Sequence, residues 1–502
     1  MDNRLPRCAP EEIGLSSRRV EDFLQAICHD QTTMNGFMAA RYGKVFAECW
    51  WAPYRADLVH ANHSFGKSYT ATAIGIALKE GRLSLDEKMT DIFAREIEER
   101  HLIIPEQMRR ITVENVLTMT NGMAYHPDMS GDWIGNYFST PMAYEPGTRF
   151  AYNSTGSCML GAIILKRTGS NLKDYLTERL FKKIGIDPER FVWRRFPNGI
   201  DGEPGTFATT EDNLRLALLY LNGGCWNGEQ IMDRSFVDAA LSVQINNEYA
   251  PEQKDGRCGY GYQLWACSIP GLYRFDGGQG QYGLIWPEKQ IVVSLHEGAM
   301  APCGPQKTLD TIYEQLFAYL QDEPLPPAEE DYARLLQAER SAALPRDAAN
   351  LQPVNQALSG SYTVTEGLFD PWFAVAPPGV GDLFMAFRTP EKDIPVTEFA
   401  LRFTGDGCVL NVGAGREVRA SWDGSLTAGF TDSPYGPLGE YAASARFVSE
   451  SCLEINIHWL NGWFETLLRF EKTGTTLQIT IKKLRLNETD NHLVYTASAA
   501  PR

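Results

Sequence analysis

The strongest constraint on the fold comes from residues 69–78, a run of small and apolar residues that leaves almost no polar face. Such a run predicts a helix that is buried on every side, because any exposed face would hold apolar surface in water. Gly81 follows the run and predicts where the helix ends. The chain must therefore fold around this helix, with other elements covering it.

Two side chains with the chemistry of a nucleophile and a base stand just before this run. Ser64 and Lys67 are three residues apart, so a helix that begins here would present both from one face. A serine hydroxyl becomes a good nucleophile when a neighbour takes its proton, and a neutral lysine can do so. Burial and the positive end of the helix dipole both disfavour the ammonium form of Lys67. The amide of Ser64, at the same helix end, is a candidate oxyanion donor.

A different function could explain the same stretch. Four-residue Ser-x-x-Lys matches are common by chance, and residues 66–68 also match the end of a phosphate-binding loop, Gly-Lys-Ser. The first glycine of that loop is replaced by Ala61, and residues 55–60 are not the apolar strand that such a loop follows. A nucleotide-binding protein is therefore the less favoured alternative.

Length and charge bound the number of domains and the kind of partner. The 502 residues predict about three folding units, and a hydrophobic content of 43% indicates globular domains. The net charge of -16 argues against a nucleic-acid partner, because phosphate binding needs clustered Lys and Arg. We therefore expect a small-molecule or peptide substrate.

No stretch of the sequence predicts a leader, a membrane anchor or a cofactor. The first eight residues lack the apolar core of a signal peptide, and no run of eighteen apolar residues occurs. We therefore expect a cytoplasmic protein with no membrane partner. The ten cysteines are scattered, as is typical of reduced thiols. The eight histidines show no metal-binding spacing, so we predict no metal and no other cofactor.

Hydrophobic periodicity predicts the elements on either side of the buried helix. Apolar residues recur at helical spacing over residues 16–30, and residues 36–51 have the pattern of a two-stranded hairpin. The proline-rich residues 323–327 predict a stiff linker, and a helix follows over residues 328–344. From residue 351 onward, short alternating runs separated by Gly and Pro predict a small antiparallel barrel or sandwich.

A second group of residues, together with Ser64 and Lys67, indicates a protein family. A Pro-Gly turn at residues 146–147 leads through the Tyr-Asn-Ser of residues 152–154 into an apolar run that predicts another buried helix. Together with Ser64 and Lys67, this order resembles the serine β-lactamase and penicillin-binding-protein superfamily. The most similar branch contains class C-like β-lactamases, D-alanyl-D-alanine carboxypeptidases and related esterases. The resemblance extends over residues 10–320.

The second motif of that superfamily is Tyr-x-Asn. The resemblance implies that Tyr152 acts with Lys67 on the proton of Ser64, so that these three residues are catalytic. In this chain Ser154 replaces the amide. A hydroxyl can still bind a lysine or a substrate through a hydrogen bond, with a shorter reach than an amide. The resemblance thus implies a substrate-binding role for Ser154.

The third motif of the superfamily is Lys-Thr-Gly or His-x-Gly on an edge strand, and the best match is the glycine-rich stretch that begins at Phe275. Two registers fit, and they place either Phe275 or Asp276 where relatives have a cation or a histidine. Neither residue supplies that charge, and Asp276 would repel a substrate carboxylate. Gly277 and Gly278 would let a substrate approach the backbone closely. The second oxyanion donor would be the amide of Gly278 or Gln279, so residues 276–279 are candidate substrate-binding residues.

These inferences define an expected fold and function. We expect an α+β fold with a β-lactamase-like catalytic domain over residues 1–322, in which an antiparallel sheet is flanked by helices and joined by a helical subdomain. A linker and helix would span residues 323–350, and an antiparallel barrel-like β domain residues 351–502. We expect a serine hydrolase that cleaves an ester or amide through an acyl-enzyme.

The departures from the family pattern bear on which substrate the enzyme cleaves, and they leave open a protein that is not an enzyme. An esterase- or peptidase-like enzyme is favoured over a dedicated β-lactamase, because the third motif lacks its cation and no export signal is seen. The alternative is a binding module that has kept the fold, lost turnover and senses a peptide or ligand. The altered second and third motifs favour that alternative, whereas the intact Ser64, Lys67 and Tyr152 favour the enzyme.

Overall fold

Two large antiparallel sheets organise the chain. The computed structural model describes residues 4–129, 131–196, 198–299, 304–372, 396–413, 415–433, 437–484 and 494–502. The helices are α1 (Ser17–Ala26), α2 (Gly66–Lys79), α3 (Met89–Ile92), α4 (Ala94–Glu99), α5 (Val113–Leu117), α6 (Trp133–Ser139), α7 (Ser154–Thr168), α8 (Leu172–Leu176), α9 (Lys182–Ile184), α10 (Thr210–Leu221), α11 (Arg234–Ala240), α12 (Gly304–Thr311) and α13 (Glu329–Ser341).

The strands fall into an N-terminal and a C-terminal group. In the N-terminal part they are β1 (Thr32–Arg41), β2 (Lys44–Trp50), β3 (His60–Ala61), β4 (Val192–Arg195), β5 (Asp201–Ala208), β6 (Cys225–Trp226), β7 (Glu229–Gln230), β8 (Trp265–Ala266), β9 (Tyr273–Gly277), β10 (Gln281–Trp286) and β11 (Ile291–Ala299). In the C-terminal part they are β12 (Gly360–Gly367), β13 (Glu398–Phe403), β14 (Gly407–Asn411), β15 (Glu417–Ser421), β16 (Thr427–Phe430), β17 (Glu440–Ser449), β18 (Cys452–Trp459), β19 (Glu465–Thr473), β20 (Thr476–Leu484) and β21 (Val494–Pro501).

The first sheet separates two hydrophobic cores. Its strand order is β2-β1-β11-β10-β9-β8, and each neighbouring pair is antiparallel. Side chains alternate between the faces of a strand, so Phe37 of β1 packs with α1, α12 and α13, whereas Met38 packs with α2 and α10. Helices therefore cover both faces of an antiparallel sheet. The predicted α+β class is confirmed.

Helix α2 is the buried helix that the sequence predicts. Every residue from Gly66 to Ala77 is buried. The helix begins three residues before the predicted run and ends at Lys79, and Gly81 follows with a left-handed backbone, φ +67°. It packs against α7 and β5 on the side away from the first sheet. The elements α3 to α9 form the helical part that the family resemblance implies.

Two other elements differ in their bounds from the prediction. Helix α1 ends at Ala26, so residues 27–31 form a turn instead of a last helical turn. Strand β1 begins at Thr32, four residues before the predicted hairpin. All ten residues of β1 are buried, including polar ones. In its N-terminal half, polar residues are buried together with apolar ones. The sequence there does not alternate in the way that predicts a strand, so the predicted start of β1 is too late.

The segment after the first domain is packed rather than free. The amide of Leu325 donates to the Glu11 carbonyl at 2.8 Å. Helix α13 buries Leu335 completely, and the carboxylate of Glu339 on this helix accepts from the Glu48 amide of β2 at 3.1 Å. The proline-rich stretch and its helix thus lie on the first sheet. The division of the chain at residues 322 and 350 stays a prediction.

The C-terminal strands form the predicted barrel. Their order is β15-β14-β13-β12-β21-β20-β19-β18-β17-β16. The sheet closes where β15 meets β17 in parallel, at Ser421 and Ser444, which leaves β16 outside the closed barrel. Alternate residues of these strands fill a separate hydrophobic core. The barrel-like C-terminal domain is therefore confirmed.

The barrel touches the first domain immediately before Ser64. In the turn between β18 and β19, the Asn461 carbonyl accepts from the Ala61 amide at 2.9 Å, and Asn461 Nδ2 donates to the Val59 carbonyl at 2.7 Å. Asn461 Oδ1 in turn accepts from the Glu440 amide at 3.0 Å. One buried asparagine thus joins the barrel to strand β3, three residues before the candidate nucleophile.

The helices and the metal-binding side chains of the described ranges bear on contact with a membrane and on metal binding. None of the helices there is long and apolar enough to cross a membrane. Within the same residues, no three side chains of His, Cys, Asp or Glu come together as a metal site.

We expect Asn461→Ala to loosen the barrel from the first domain. The substitution leaves the partly buried Val59 carbonyl and Glu440 amide without their partner, at a cost of up to about 1–3 kcal/mol each. The thermal unfolding temperature should fall, and the Ala61 amide should exchange its hydrogen faster, as measured by hydrogen exchange and mass spectrometry.

Asn350→Ala is the matched control for this prediction. Asn350 also accepts from a backbone amide, that of Phe447, and its own amide donates to the Trp422 carbonyl, so both contacts are with the barrel. It should leave exchange at Ala61 unchanged. Equal exchange at Ala61 in wild type and Asn461→Ala would show that Asn461 does not hold the interface.

Candidate active site

Ser64 and Lys67 meet at the start of α2. Ser64 lies in a single helical turn, His63–Phe65, that continues directly into the helix. Lys67 Nζ donates to Ser64 Oγ at 2.8 Å, and the lysine is only 2% exposed. The spacing of three residues thus produces the contact that the sequence predicts.

Tyr152 lies over the same lysine. Lys67 Nζ is 4.8 Å from the centroid of the Tyr152 ring. This ring packs against those of Tyr249 and Trp265, with centroids 5.0 Å and 5.8 Å away. Such ring contacts restrict the orientation of the phenol. The next residue, Asn153, caps α7 through its Oδ1, which accepts from the Gly156 amide at 2.7 Å.

Ser154 is held by a histidine that the sequence does not single out. The Ser154 amide donates to His126 Nε2 at 2.9 Å, and His126 Nδ1 donates to the Pro127 carbonyl at 2.7 Å. Burial lowers the pKa of His126, and the charge of Lys67 lowers it further. The neutral imidazole therefore positions the first residue of α7. A lone histidine without a spacing pattern gives no signal of this contact.

Asp276 of the third motif is paired with an arginine. Arg274 Nε donates to Asp276 Oδ2 at 2.7 Å, and Arg274 is 5% exposed. Burial raises the pKa of Asp276, while the charges of Arg274 and Lys67 oppose that shift. The carboxylate that was expected to repel an anionic substrate is therefore compensated. The two residues are separated by one position on β9, so strand periodicity could have predicted the pair.

The side chain before Asp276 points away from the site. Phe275 is completely buried, and its ring meets those of Phe65 and Tyr220, each at 5.1 Å. Asp276 lies on the opposite face of β9, within reach of the charge of Lys67. Phe275 therefore packs in the core, and Asp276 projects from the other face of the strand.

The glycine-rich turn after β9 lies against the segment that carries Ser64. A Cβ on Gly277 would lie 2.1 Å from the Asn62 carbonyl oxygen, so it is the protein's own backbone that approaches closely here. A Cβ on Gly278 would have its nearest neighbour, His63, at 3.9 Å, an ordinary van der Waals contact, so packing does not require glycine at this residue. Gln279 has a left-handed backbone, φ +67°. The need for glycine that was expected from substrate approach is thus explained at Gly277 by packing.

The barrel borders the site through one aromatic contact. The rings of His63 and Trp463 meet edge to face, with centroids 4.0 Å apart. Burial lowers the pKa of His63 to about 3. The sequence left open whether the C-terminal domain reaches the site. The structure places Trp463 beside the residue that precedes Ser64.

A buried amide network fixes the backbone before the nucleophile. Asn213 Nδ2 of α10 donates to Asn62 Oδ1 at 2.9 Å, and the Tyr69 hydroxyl of α2 donates to Asn213 Oδ1 at 3.0 Å. His296 Nε2 of β11 lies 3.2 Å from Asn62 Oδ1 and 3.0 Å from Asn213 Nδ2. The network ties the sheet to two helices at the position of Ser64. Sequence reasoning missed it, because its members are far apart in the chain.

A cavity of about 880 Å³ adjoins Tyr152. Its walls are the segment over residues 148–152, the loop over residues 245–249, and Arg257. Pockets of this size commonly hold small-molecule ligands. The site is therefore open on the side of Tyr152 and in contact with the barrel on the side of His63.

Comparisons with known proteins assign the family. The model of the family named Beta-lactamase matches residues 35–296, a little over half of the chain. The chain belongs to the beta-lactamase family. The match includes Ser64, Lys67 and Tyr152, together with the stretch over residues 276–279. The resemblance inferred from the motifs is confirmed.

Individual relatives are distant. Penicillin-binding protein 4 of Amycolatopsis lactamdurans is 26% identical over 284 residues, which cover 48% of this chain and 72% of the relative. The 6-aminohexanoate-dimer hydrolase of Paenarthrobacter ureafaciens is 23% identical over 244 residues, 45% of this chain and 60% of the relative. An octameric penicillin-binding protein homologue from Pyrococcus abyssi matches 96% of this chain and 99% of its own, with a TM-score of 0.47 and 16% identity. The expected class, a serine hydrolase of the β-lactamase-related type, is confirmed at this level.

The nucleotide-binding alternative does not fit the local geometry. Gly66 has helical backbone angles, φ -54° and ψ -24°, and begins α2 instead of forming an open loop. The Ser68 hydroxyl is buried and donates to the Gln263 carbonyl at 3.2 Å. Lys67 contacts Ser64. The residues that would hold a phosphate are thus engaged within the protein.

Glu297 lies beneath the turn of the third motif. A Cβ on Gly280 would lie 2.0 Å from Glu297 Oε1, so the carboxyl group directly underlies this turn. The hydroxyls of Thr32 and Thr308 donate to Glu297 Oε2 at 2.5 Å and 2.9 Å. Burial raises the pKa of Glu297 to about 8. The side chain is therefore neutral in the folded protein below that pH.

We expect Glu297→Gln to stabilise the protein increasingly as the pH rises. Unfolded chains ionise Glu297 above its ordinary pKa of 4.5, whereas the folded chain keeps the proton up to about pH 8. Between these values the wild type loses up to about 1.4 kcal/mol of unfolding free energy per pH unit through this group. The isosteric glutamine does not titrate.

The measurement for this prediction is the difference in unfolding temperature between Glu297→Gln and wild type from pH 5 to pH 9. The difference should grow up to about pH 8 and then level off. Glu314→Gln, a substitution at an exposed residue, should give a small difference throughout. A difference for Glu297→Gln that does not change with pH would contradict the prediction.

Proposed function

We propose that the protein hydrolyses a carboxylic ester or an amide through an acyl-enzyme on Ser64, with Lys67 and Tyr152 as general base and acid. One observation carries the proposal: Lys67 Nζ lies 2.8 Å from Ser64 Oγ, and the Tyr152 ring covers the same nitrogen. A nucleophile and a base within hydrogen-bond distance, with the base oriented by a third group, are the recurring parts of nucleophilic catalysis.

Acylation begins with the loss of the serine proton. Ser64 Oγ forms a bond to the substrate carbonyl carbon, and its proton passes to the pair formed by Lys67 and Tyr152. The burial of Lys67 disfavours its ammonium form, so that the amine is available to accept a proton. The bond from the carbonyl carbon to the leaving group then breaks. The leaving alkoxide or amine takes the proton from the same pair.

The tetrahedral intermediate carries a negative oxygen that needs donors. The amide of Ser64 is one candidate, because it lies in the turn that opens α2. The second is the amide of Gly278 or Gln279, in the turn after β9. Gly277 packs on Asn62, and Gly278 has His63 as its nearest neighbour, which supports placing this turn beside Ser64. Water then attacks the acyl carbon while the pair formed by Lys67 and Tyr152 takes one of its protons. The bond from the acyl carbon to Ser64 Oγ breaks, and Ser64 takes that proton from the pair.

An esterase- or amidase-like activity fits the third motif better than dedicated β-lactam hydrolysis. Arg274 is directed to Asp276 and to the Ala266 carbonyl, so its charge is used inside the protein. The cation that would hold the carboxylate of a β-lactam is therefore missing from this strand. The relatives include proteins named as a 6-aminohexanoate-dimer hydrolase and a lovastatin esterase, which supports an amide or ester substrate.

We expect a fluorophosphonate to label the wild type at Ser64 and to leave Ser64→Ala unlabelled. The reagent reacts with a serine whose proton is removed by a neighbour, so labelling reports the activated hydroxyl. Intact-protein mass spectrometry detects the adduct. A parallel incubation with a penicillin tests whether the same serine opens a β-lactam ring.

Ser68→Ala is the matched control for labelling, because its hydroxyl lies one turn further along α2 and donates to a backbone carbonyl. This variant should be labelled like the wild type. Absence of an adduct in the wild type with both reagents would contradict the hydrolase and favour the ligand-sensing alternative.

We expect Tyr152→Phe to lower kcat/KM for ester hydrolysis by about 10²–10⁴-fold, the usual contribution of general acid-base catalysis. The phenylalanine keeps the ring contacts with Tyr249 and Trp265 but lacks the hydroxyl. Steady-state kinetics with a 4-nitrophenyl ester measures the effect.

Tyr220→Phe controls for the loss of a buried tyrosine hydroxyl. Tyr220 lies within hydrogen-bond distance of Thr72, 3.0 Å away, and packs on Phe275 in the core. It should keep kcat/KM within a few-fold of wild type. If both phenylalanine variants retain activity, the hydroxyl of Tyr152 has no part in proton transfer.

A further inference from the structure

The cavity beside Tyr152 has a positively charged wall. Arg149 and Arg257 both line it, and Glu248 is the one acidic residue among its described lining residues. Arg257 makes no ion pair with a described residue. Arg149 Nη1 donates to the Tyr144 hydroxyl at 2.7 Å, which holds the guanidinium group without neutralising it. The two arginines and the glutamate thus give this wall a net charge of +1. The net charge of the whole chain is -16.

The two arginines give the same wall several hydrogen-bond donors. Guanidinium groups carry donors only. A ligand group with several acceptor oxygens would therefore complement this part of the cavity.

An aromatic wall connects the charged part to the candidate catalytic residues. The rings of Phe150 and Tyr152 both lie against Tyr249, with centroids 6.4 Å and 5.0 Å away. Tyr249 is 56% exposed, which is unusual for a large aromatic side chain. A substrate that reaches from Ser64 into the cavity would pass over these rings before it meets the arginines.

The third motif offers no competing site for an anion. Arg274 is bound to Asp276 at 2.7 Å and to the backbone carbonyl of Ala266 at 3.1 Å. The pair presents no net charge to a substrate. The unpaired cations that line a cavity at this site are therefore those on the side of Tyr152.

From this arrangement we propose that the substrate carries a carboxylate in addition to the scissile carbonyl, joined to it by a spacer, and that Arg149 and Arg257 bind this carboxylate in the cavity beside Tyr152. This inference rests on the proposed function, because it assumes that Ser64 attacks the carbonyl. Planar guanidinium groups match the geometry of a carboxylate. The spacer packs on Tyr249 and Phe150. The recognition of charge thus rests on Arg149 and Arg257 rather than on a cation of the third motif.

The test compares two pairs of esters that differ in one charge. 4-Nitrophenyl hydrogen glutarate carries a carboxylate on the acyl chain, and its methyl ester is neutral. 4-Acetoxybenzoate carries the carboxylate on the leaving group, and methyl 4-acetoxybenzoate is its neutral partner. The wild type should prefer the charged member of at least one pair by about 10-fold in kcat/KM, the value of one charge-assisted hydrogen bond.

Substitutions of the two arginines test whether they cause the preference for the charged ester. The double variant Arg149→Gln/Arg257→Gln should abolish it through a higher KM for the charged ester, with the neutral ester little affected. Arg257→Glu should reverse it, because it places a negative charge in the cavity. Arg402→Gln, at an exposed arginine of the barrel, should preserve the wild-type ratio.

Two results would overturn the inference: a wild type that does not prefer either charged ester, or a preference that survives in the double variant. Ser64-dependent hydrolysis of the neutral esters alone would retain the proposed function and reject the carboxylate site. If none of the four esters is hydrolysed, the proposed function fails, and calorimetric titration with glutarate decides the site by itself. Binding by the wild type that is lost in the double variant supports it, and no binding rejects it.

Discussion

The burial of Lys67 at the start of α2 is the constraint on which the rest of the structure depends. An ammonium group taken out of water loses its hydration, so a lysine that is 2% exposed needs close partners or loses its proton. Here the partners are Ser64 Oγ at 2.8 Å and the face of the Tyr152 ring at 4.8 Å. Each of these is held by other elements: the serine by the buried amides around Asn62, and the tyrosine by the rings of the cavity wall. The elements that cover the apolar helix α2 thus also hold the candidate nucleophile and base together at its start.

The sequence predicts this centre because its information is local. A run without a polar face indicates a buried helix, and a separation of three residues indicates a shared face, so the contact between Ser64 and Lys67 follows from helix geometry alone. Tyr152 is different, because its placement over Lys67 depends on tertiary packing across the chain. The order of motifs in a resembling family predicted it, and periodicity did not. The alternating strands of the barrel were predicted for the same local reason as α2.

What the sequence did not reveal depends on non-local pairs. His126 positions the Ser154 amide, and Trp463 meets His63 from a barrel strand turn, 400 positions away in the chain. Neither residue belongs to a spacing pattern. Arg274 could have been predicted in part. Strand periodicity places it on the same face as Asp276, but the motif begins at Phe275 and so does not include it. Asp276, which departs from the family pattern, therefore forms an ion pair with Arg274.

The two domains make the site asymmetric. On one side, the contact between His63 and Trp463 at 4.0 Å and the buried Asn461 hold the barrel against the segment that carries Ser64. On the other side, the cavity of about 880 Å³ begins at Tyr152. A well-packed wall resists rearrangement, so the side of this segment that the barrel contacts is the rigid one, whereas the side of Tyr152 adjoins an open cavity.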